Sequence, residues 1–303
     1  MKLSFYFLLL GIVLASCNPV AFRVKSTTRK LAKEQVTSHF FENDSLKLKF
    51  WKGGKGPALI FIHGFGGDAL LSWEKQLSFF AKEHTVIAPD LLWFGESTSL
   101  MQPNLSSQTE AIIDLMDYLK LEKATIVGQS YGGFVAIQLA QKEPNRIQKL
   151  VFANCPGTTF NISELDKVCQ KYAVQTIDEL FILKKPQQIQ RLFDLVTFTN
   201  PRLPKILLKS IYSGYFNKNN AELTQLLRLL LKEQDNFPNF KTGNIPTLVV
   251  WGEQDELFSL AEGKLFSDTI GAQFKVIPNC GHAPQVDQPA EFLKILQQFI
   301  LEK

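Results

Sequence analysis

The segment from Ala124 to Gln141 constrains this chain more than any other. A β-branched run, Ala124-Thr125-Ile126-Val127, feeds into Gly128-Gln129-Ser130-Tyr131-Gly132, and a helix-compatible stretch follows from Phe134. When a strand turns into a helix through Gly-x-Ser-x-Gly, side chains larger than hydrogen clash at both glycines. The serine then sits at the apex in strained backbone, its hydroxyl lifted clear of the sheet. A serine hydroxyl is a weak nucleophile until a base takes its proton. The rest of the chain should therefore supply a base, an acid to orient it and donors for an oxyanion.

Candidates for all three are present. Of four histidines, His39, His63, His84 and His282, the last follows the strand-like run Phe274 to Ile277 and precedes a terminal helix. It is the expected base. Asp255 follows another strand-like run, Thr247 to Val250, and is the expected orienting acid, with Glu253 and Glu256 as near rivals. Asp90 also stands at a strand end, and Asp287 is expected to be a capping or surface group. His84, in a polar connection, is expected to be exposed. The chain order Ser130, Asp255, His282 leaves a long first gap and a short second one. Ala58 to Ile62 has the continuous apolar pattern of a buried strand, and His63-Gly64-Phe65-Gly66-Gly67 follows it. Glycines there let a backbone N–H approach a substrate oxygen. The expected oxyanion donors are the N–H groups of Phe65 and Tyr131, with Gly64, Gly66, Gly128 and Gly132 shaping the two loops.

Further strands are expected at 85–88 and 149–153, after an opening hairpin of 36–41 and 46–51. Ser107-x-x-Glu110 and Thr176-x-x-Glu179 read as capping boxes. Phe292, Ile295, Leu296, Phe299 and Ile300 form the stripe of an amphipathic terminal helix. Alternating strands and helices imply an α/β fold with a mostly parallel sheet covered on both faces. Residues 156–240 lack strand alternation, carry a helical stripe of Leu223, Leu226, Leu227 and Leu230, and are rich in aromatics, among them Phe160, Phe181, Phe193, Phe198, Tyr212, Tyr215 and Phe216. They read as a helical cap, some of whose aromatics line an apolar pocket.

With these pieces in order, the chain resembles α/β-hydrolase-fold enzymes of the cap-bearing kind: His63 to Gly67, Asp90 to Ser97, Gly128 to Gly133, Trp251 to Asp255, and Gly281-His282. The resemblance implies an α/β-hydrolase fold with a mostly parallel central sheet flanked by helices and a helical cap insertion. The core is placed at 36–155 and 241–303, the cap at 156–240. It implies a serine hydrolase, carboxylesterase- or lipase-like, acting through Ser130, His282 and Asp255 on a small, apolar ester or acyl substrate without a cofactor. Carbon–carbon bond hydrolysis and cofactor-free perhydrolysis would use the same three residues. Ala283 stands where ring-cleavage-product hydrolases often carry tryptophan, which lowers the carbon–carbon reading. Asp90 resembles a family position that braces loops. A membrane-tethered binding protein that has lost turnover is the alternative of another class.

The N-terminus carries a separate signal. Leu3 to Leu14 is a short apolar core after Lys2, too short to span a bilayer and suited to a signal peptide. It ends in Leu14-Ala15-Ser16-Cys17, which resembles the lipobox of bacterial lipoproteins. That resemblance implies a signal peptide of residues 1–16, lipid on Cys17, and a protein anchored to a membrane of a bacterial cell envelope, on its periplasmic or extracellular side. Residues 17–35 follow as a basic tether with Arg23, Lys25, Arg29, Lys30 and Lys33. Cys155, Cys169 and Cys280 remain. Cys155 and Cys169 either pair or, like Cys280, act as apolar fillers. The histidines lack metal-ligand spacing, so no metal is expected. A net charge of +4 from scattered residues does not suggest nucleic-acid binding. Oligomeric state is left open.

Overall fold

In the computed structural model, residues 18–159, 162–233 and 240–302 are described. Nine strands form one sheet: β1 Thr37–Glu42, β2 Leu46–Gly53, β3 Ala58–Ile62, β4 Thr85–Pro89, β5 Thr98–Ser99, β6 Ala124–Gln129, β7 Ile147–Ala153, β8 Thr247–Gly252 and β9 Gln273–Ile277. Their order is β1-β2-β4-β3-β6-β7-β8-β9, with β5 beside β2. β1 and β2 form an antiparallel hairpin, and β2 is antiparallel to β4. From β4 to β9 every pairing is parallel. Parallel order at the centre explains the continuous apolar runs. Every residue of β3, β6 and β8 is buried, because helices cover both faces.

The two-residue period of a strand sorts its side chains between two cores. Leu59 and Phe61 join Trp73, Leu77, Phe292, Leu296 and Phe299 on one face. Ile60 and Ile62 join Ile112, Leu115, Phe134 and Ile137 on the other. The first face is covered by α2 (Ala69–Phe80) and the terminal helix α12 (Pro289–Leu301). The second is covered by α3 (Leu105–Tyr118), α4 (Tyr131–Lys142) and α10 (Leu260–Ile270).

Between β7 and β8 the described residues form helices: α5 Ile162–Lys171, α6 Asp178–Phe181, α7 Gln188–Val196, α8 Lys205–Ile211 running into a π-helical turn Tyr212–Phe216, and α9 Asn220–Glu233. Leu223, Leu226, Leu227 and Leu230 are all buried. The amide of Asn219 donates to Trp93 O at 2.8 Å, and Lys218 Nζ donates to Gly95 O, fastening this layer to the sheet's carboxyl edge. Phe160 lies outside the described residues.

Several expectations are corrected. Residues 18–35 do not form a tether. Pro19–Lys33 is a helix, α1, capped by Asn18, whose Oδ1 accepts from Ala21 N at 3.0 Å. Its five cations mask an inward stripe of Val20, Val24, Thr27 and Leu31, and Leu31 is fully buried. Arg23 pairs with Glu74 of α2 at 2.6 Å, and Val20 N donates to Ser210 Oγ of α8 at 3.2 Å, so α1 bridges the two. The first capping box sits three residues early: Asn104 accepts from Ser107 N at 2.9 Å, and the Ser107 hydroxyl reaches back to Asn104 N. Asparagine caps as well as serine does, so the pattern had two solutions. At Thr176-x-x-Glu179 the N-cap is Ile177, and no reciprocal box forms. His84 is buried at the end of α2, against the Phe80 ring.

Cys155, Cys169 and Cys280 are buried and free, so Cys155 and Cys169 do not pair. Burial pushes the Cys155 thiol up to about 12. Among the described residues no helix is long and apolar enough to cross a membrane. Residues 1–16 and Cys17 lie outside them.

Candidate active site

Ser130 leaves β6 and caps α4, with φ 50° and ψ −118°. Backbone of this kind costs on the order of 1–3 kcal/mol unless its surroundings impose it. Here they do. A Cβ on Gly128 would lie 2.4 Å from Gly132 O, and one on Gly132 would lie 2.4 Å from Ile62 O. Ser130 N donates to Ala153 O at 2.9 Å, pinning the turn against the end of β7. The serine hydroxyl makes no capping bond to its own helix.

His282 lies in the loop between β9 and the short helix α11 (Pro284–Asp287). Its Nδ1 donates to Asp255 Oδ2 at 2.8 Å. A carboxylate only accepts, so this bond puts the ring proton on Nδ1 and leaves Nε2 as the acceptor. Asp255 is held on both oxygens. Oδ1 accepts from Leu257 N at 2.8 Å and Phe258 N at 3.2 Å, and Oδ2 also accepts from Asn154 Nδ2 at 2.6 Å. The rivals turn away: Glu253 bonds Gln254, while Glu256 bonds the Tyr172 hydroxyl and Lys171.

Three supporting residues escaped the sequence reading. Asn154, at φ 47°, follows β7; besides holding Asp255, its Oδ1 accepts from Gly252 N at 3.2 Å. Gln129 Nε2 donates to His282 O at 3.0 Å. Asp287, expected as a capping or surface group, accepts from Gly281 N and Phe198 N, each at 2.8 Å, and so holds the histidine loop. Burial raises its carboxyl above the usual carboxylate range. Asparagine at a strand end, tolerant of positive φ, was the one available signal, and it is common to many turns.

The loop after β3 is equally constrained. His63 Nδ1 donates to Gly64 O at 2.7 Å while its Nε2 accepts from Leu91 N at 2.9 Å, so the ring is neutral and structural. Burial lowers its pKa. A Cβ on Gly64 would meet Gln129 Oε1 at 2.1 Å, and Gly66 has φ +86°. Asp90 braces this loop as expected, accepting from Ala69 N at 2.9 Å and Glu96 N at 3.3 Å. Beside it Asp68 caps α2 through Leu71 N at 2.7 Å. Burial, then the nearby Asp90 charge, raises Asp68 to about 6, and the Tyr215 hydroxyl of the π-helical turn bonds to it.

Ser130 and His282 line one cavity of about 410 Å³, together with Phe65, Phe181, Leu192, Phe193, Val196, Leu207, Tyr215 and Phe216. α1 contributes Val20, Arg23 and Val24 to its wall. A second, apolar space of about 40 Å³ shares Phe65, Ser130 and Phe181 with the first and is bounded further by Tyr131, Phe134, Leu227 and Phe258. Tyr131 opens α4, so its N–H belongs to the turn whose donors point out of the helix. Among the described residues no group of three or more His, Cys, Asp or Glu side chains could hold a metal ion.

A parallel sheet with a strained serine elbow at its carboxyl edge, roofed by inserted helices over an apolar cavity, defines an enzyme of the α/β hydrolase class. The alpha/beta hydrolase fold family matches residues 57–289, and the chain belongs to it. It is similar to the 2-hydroxymuconate semialdehyde hydrolase of Pseudomonas sp. strain CF600, 29% identical over 85% of this chain and 91% of that one. It is also similar to Lipase 3 of Moraxella sp. strain TA144, 27% identical over 87% of this chain and 80% of that one. The crystal structure of a putative lipase from Acinetobacter baumannii AYE superposes with a TM-score of 0.80 at 22% identity, covering 91% and 95% of the two chains.

Proposed function

We propose that this protein is a serine hydrolase that cleaves carboxylic esters of apolar acyl groups. The observation that carries the reading is the cavity at Ser130 and His282, whose wall is mostly aliphatic and aromatic. Ser130 attacks the carbonyl while His282 Nε2 takes its proton. Asp255 holds the imidazole tautomer and stabilises the cation that forms. The N–H groups of Phe65 and Tyr131 receive the oxyanion; losing one such donor costs about 3–4 kcal/mol of transition-state stabilisation. His282 then returns the proton to the leaving alcohol and activates water for deacylation.

A relative bears the name 2-hydroxymuconate semialdehyde hydrolase, but the wall of this cavity favours an apolar ester. Among the described residues Arg23 is its one lysine or arginine, and Glu74 pairs with that guanidinium. A carboxylate-bearing substrate would enter with little to neutralise it. The helices of 162–233 set acyl preference in this reading, and lipid on Cys17 holds the enzyme at a membrane of the cell envelope.

Ser130→Ala should abolish turnover of short p-nitrophenyl esters and labelling by a fluorophosphonate, with an unchanged far-UV spectrum. Undiminished turnover would refute the nucleophile. Labelled palmitate should enter the parent protein and not Cys17→Ser; equal incorporation in both would refute the anchor.

A further inference from the structure

We propose that the outward face of α1 is a docking surface for an anionic lipid bilayer. The whole chain carries a net charge of only +4, yet α1 holds Arg23, Lys25, Arg29, Lys30 and Lys33 and no acidic residue. At ~100° per residue, Phe22, Lys25, Ser26, Arg29 and Lys33 share one face. Val20, Val24, Thr27 and Leu31 occupy the opposite face, against the body. The structure agrees: Phe22, Lys25, Ser26, Arg29, Lys30 and Lys33 line one shallow surface groove. Lys25, Arg29, Lys30 and Lys33 have no acidic partner among the described residues, whereas Arg23 pairs with Glu74.

A further observation selects lipid over another polyanion. Phe22 stands 76% exposed among the cations, and an aromatic ring in that position suits the headgroup region of a bilayer. The opposite side of the same helix, through Val20, Arg23 and Val24, forms part of the active-site cavity wall. A nucleic-acid duplex would bind the cations but leave the Phe22 ring without an apolar partner. A bilayer accommodates both.

The docking geometry stands without the catalytic assignment, and the test separates them. Trp51, Trp73, Trp93 and Trp251 are all buried, so Phe22→Trp, made in the full chain together with Cys17→Ser to remove the proposed lipid, adds an exposed reporter. Its emission is followed with brominated phosphatidylcholine vesicles, with and without phosphatidylglycerol. The expected result is quenching that needs phosphatidylglycerol and fades as salt is raised. Replacing Lys25, Arg29 and Lys33 by Gln should weaken it roughly a hundredfold, about fivefold for each cation. Turnover of a short soluble ester should stay at the parent value in every variant. Quenching that ignores lipid charge and these substitutions would overturn the proposal. So would no quenching by a protein that still turns over the soluble ester, or charge-dependent binding to a DNA duplex as tight as to vesicles. Loss of soluble turnover alone bears on the catalytic reading.

Discussion

Asp255→Asn tests the wiring of the site through a change of one atom. The carboxylate faces four donors: His282 Nδ1, Asn154 Nδ2, Leu257 N and Phe258 N. An amide can present its single oxygen to one pair only. The two backbone N–H groups cannot move, so the amide oxygen should stay with them and its NH₂ should turn to His282 and Asn154. His282 must then accept on Nδ1 and carry its proton on Nε2, the wrong tautomer for taking a proton from Ser130. The expected loss in kcat on a p-nitrophenyl ester at neutral pH is ~10⁴-fold, with KM little changed. The Asn154 donor loses its acceptor, which costs about 1–3 kcal/mol and should lower Tm by several degrees. Steady-state kinetics beside thermal denaturation read both quantities. Turnover within tenfold of the parent, from a protein with the expected loss in Tm, would refute the tautomer argument and the role of Asp255.

Gly64→Ala should displace the Gln129 amide, which sits 2.1 Å from the new methyl and also holds His282 O. We expect at least a tenfold loss of kcat, partly recovered when Gln129→Ala is added; a double variant worse than the product of the two singles would contradict this steric chain. Phe181→Ala removes a side chain common to both cavities. Preference in a p-nitrophenyl ester series should shift towards longer acyl groups, and an unchanged profile would count against this wall. Asp68→Asn keeps a competent N-cap but removes a carboxyl whose folded pKa is raised from 3.8 to about 6. A raised carboxyl favours the folded state while protonated, so the parent loses stability as pH rises from about 4 to 6. The variant should therefore gain about 1–2 kcal/mol above pH 6 and almost nothing near pH 4, after allowance for its partial exposure to solvent. A gain independent of pH would contradict that origin.

The elements nearest the chemistry were the most legible in the sequence. The elbow is readable because Gly128 and Gly132 answer to backbone atoms a few residues away or on the adjoining β3 loop, and such contacts admit no other residue. The central strands are readable because burial on both faces forces continuous apolar runs. α1 was not readable. Its inward stripe is narrow, two of its four members are Val and one is Thr, and the cations between them resemble a solvated linker. His84 was misjudged because a polar neighbourhood in sequence says nothing about the Phe80 ring folded against it. Asp287 was legible only as a capping or surface group, because its partners, Gly281 N and Phe198 N, come from two separate segments.

The amino-acid order by itself determined that a serine must stand at a strained strand–helix turn, and that an aspartate and a histidine follow at the ends of later strands. Those are local demands, set by backbone sterics and by the periods of strand and helix. Tertiary structure alone decided which carboxylate meets the imidazole, because Asp255 is chosen over Glu253 and Glu256 by Asn154 and by two backbone donors of its own turn. It also decided that α1 walls the cavity, since that placement depends on Glu74 and Ser210, each contributed by a distant helix. Contacts between segments far apart in the chain leave no periodic trace in either, and that is why they had to be seen.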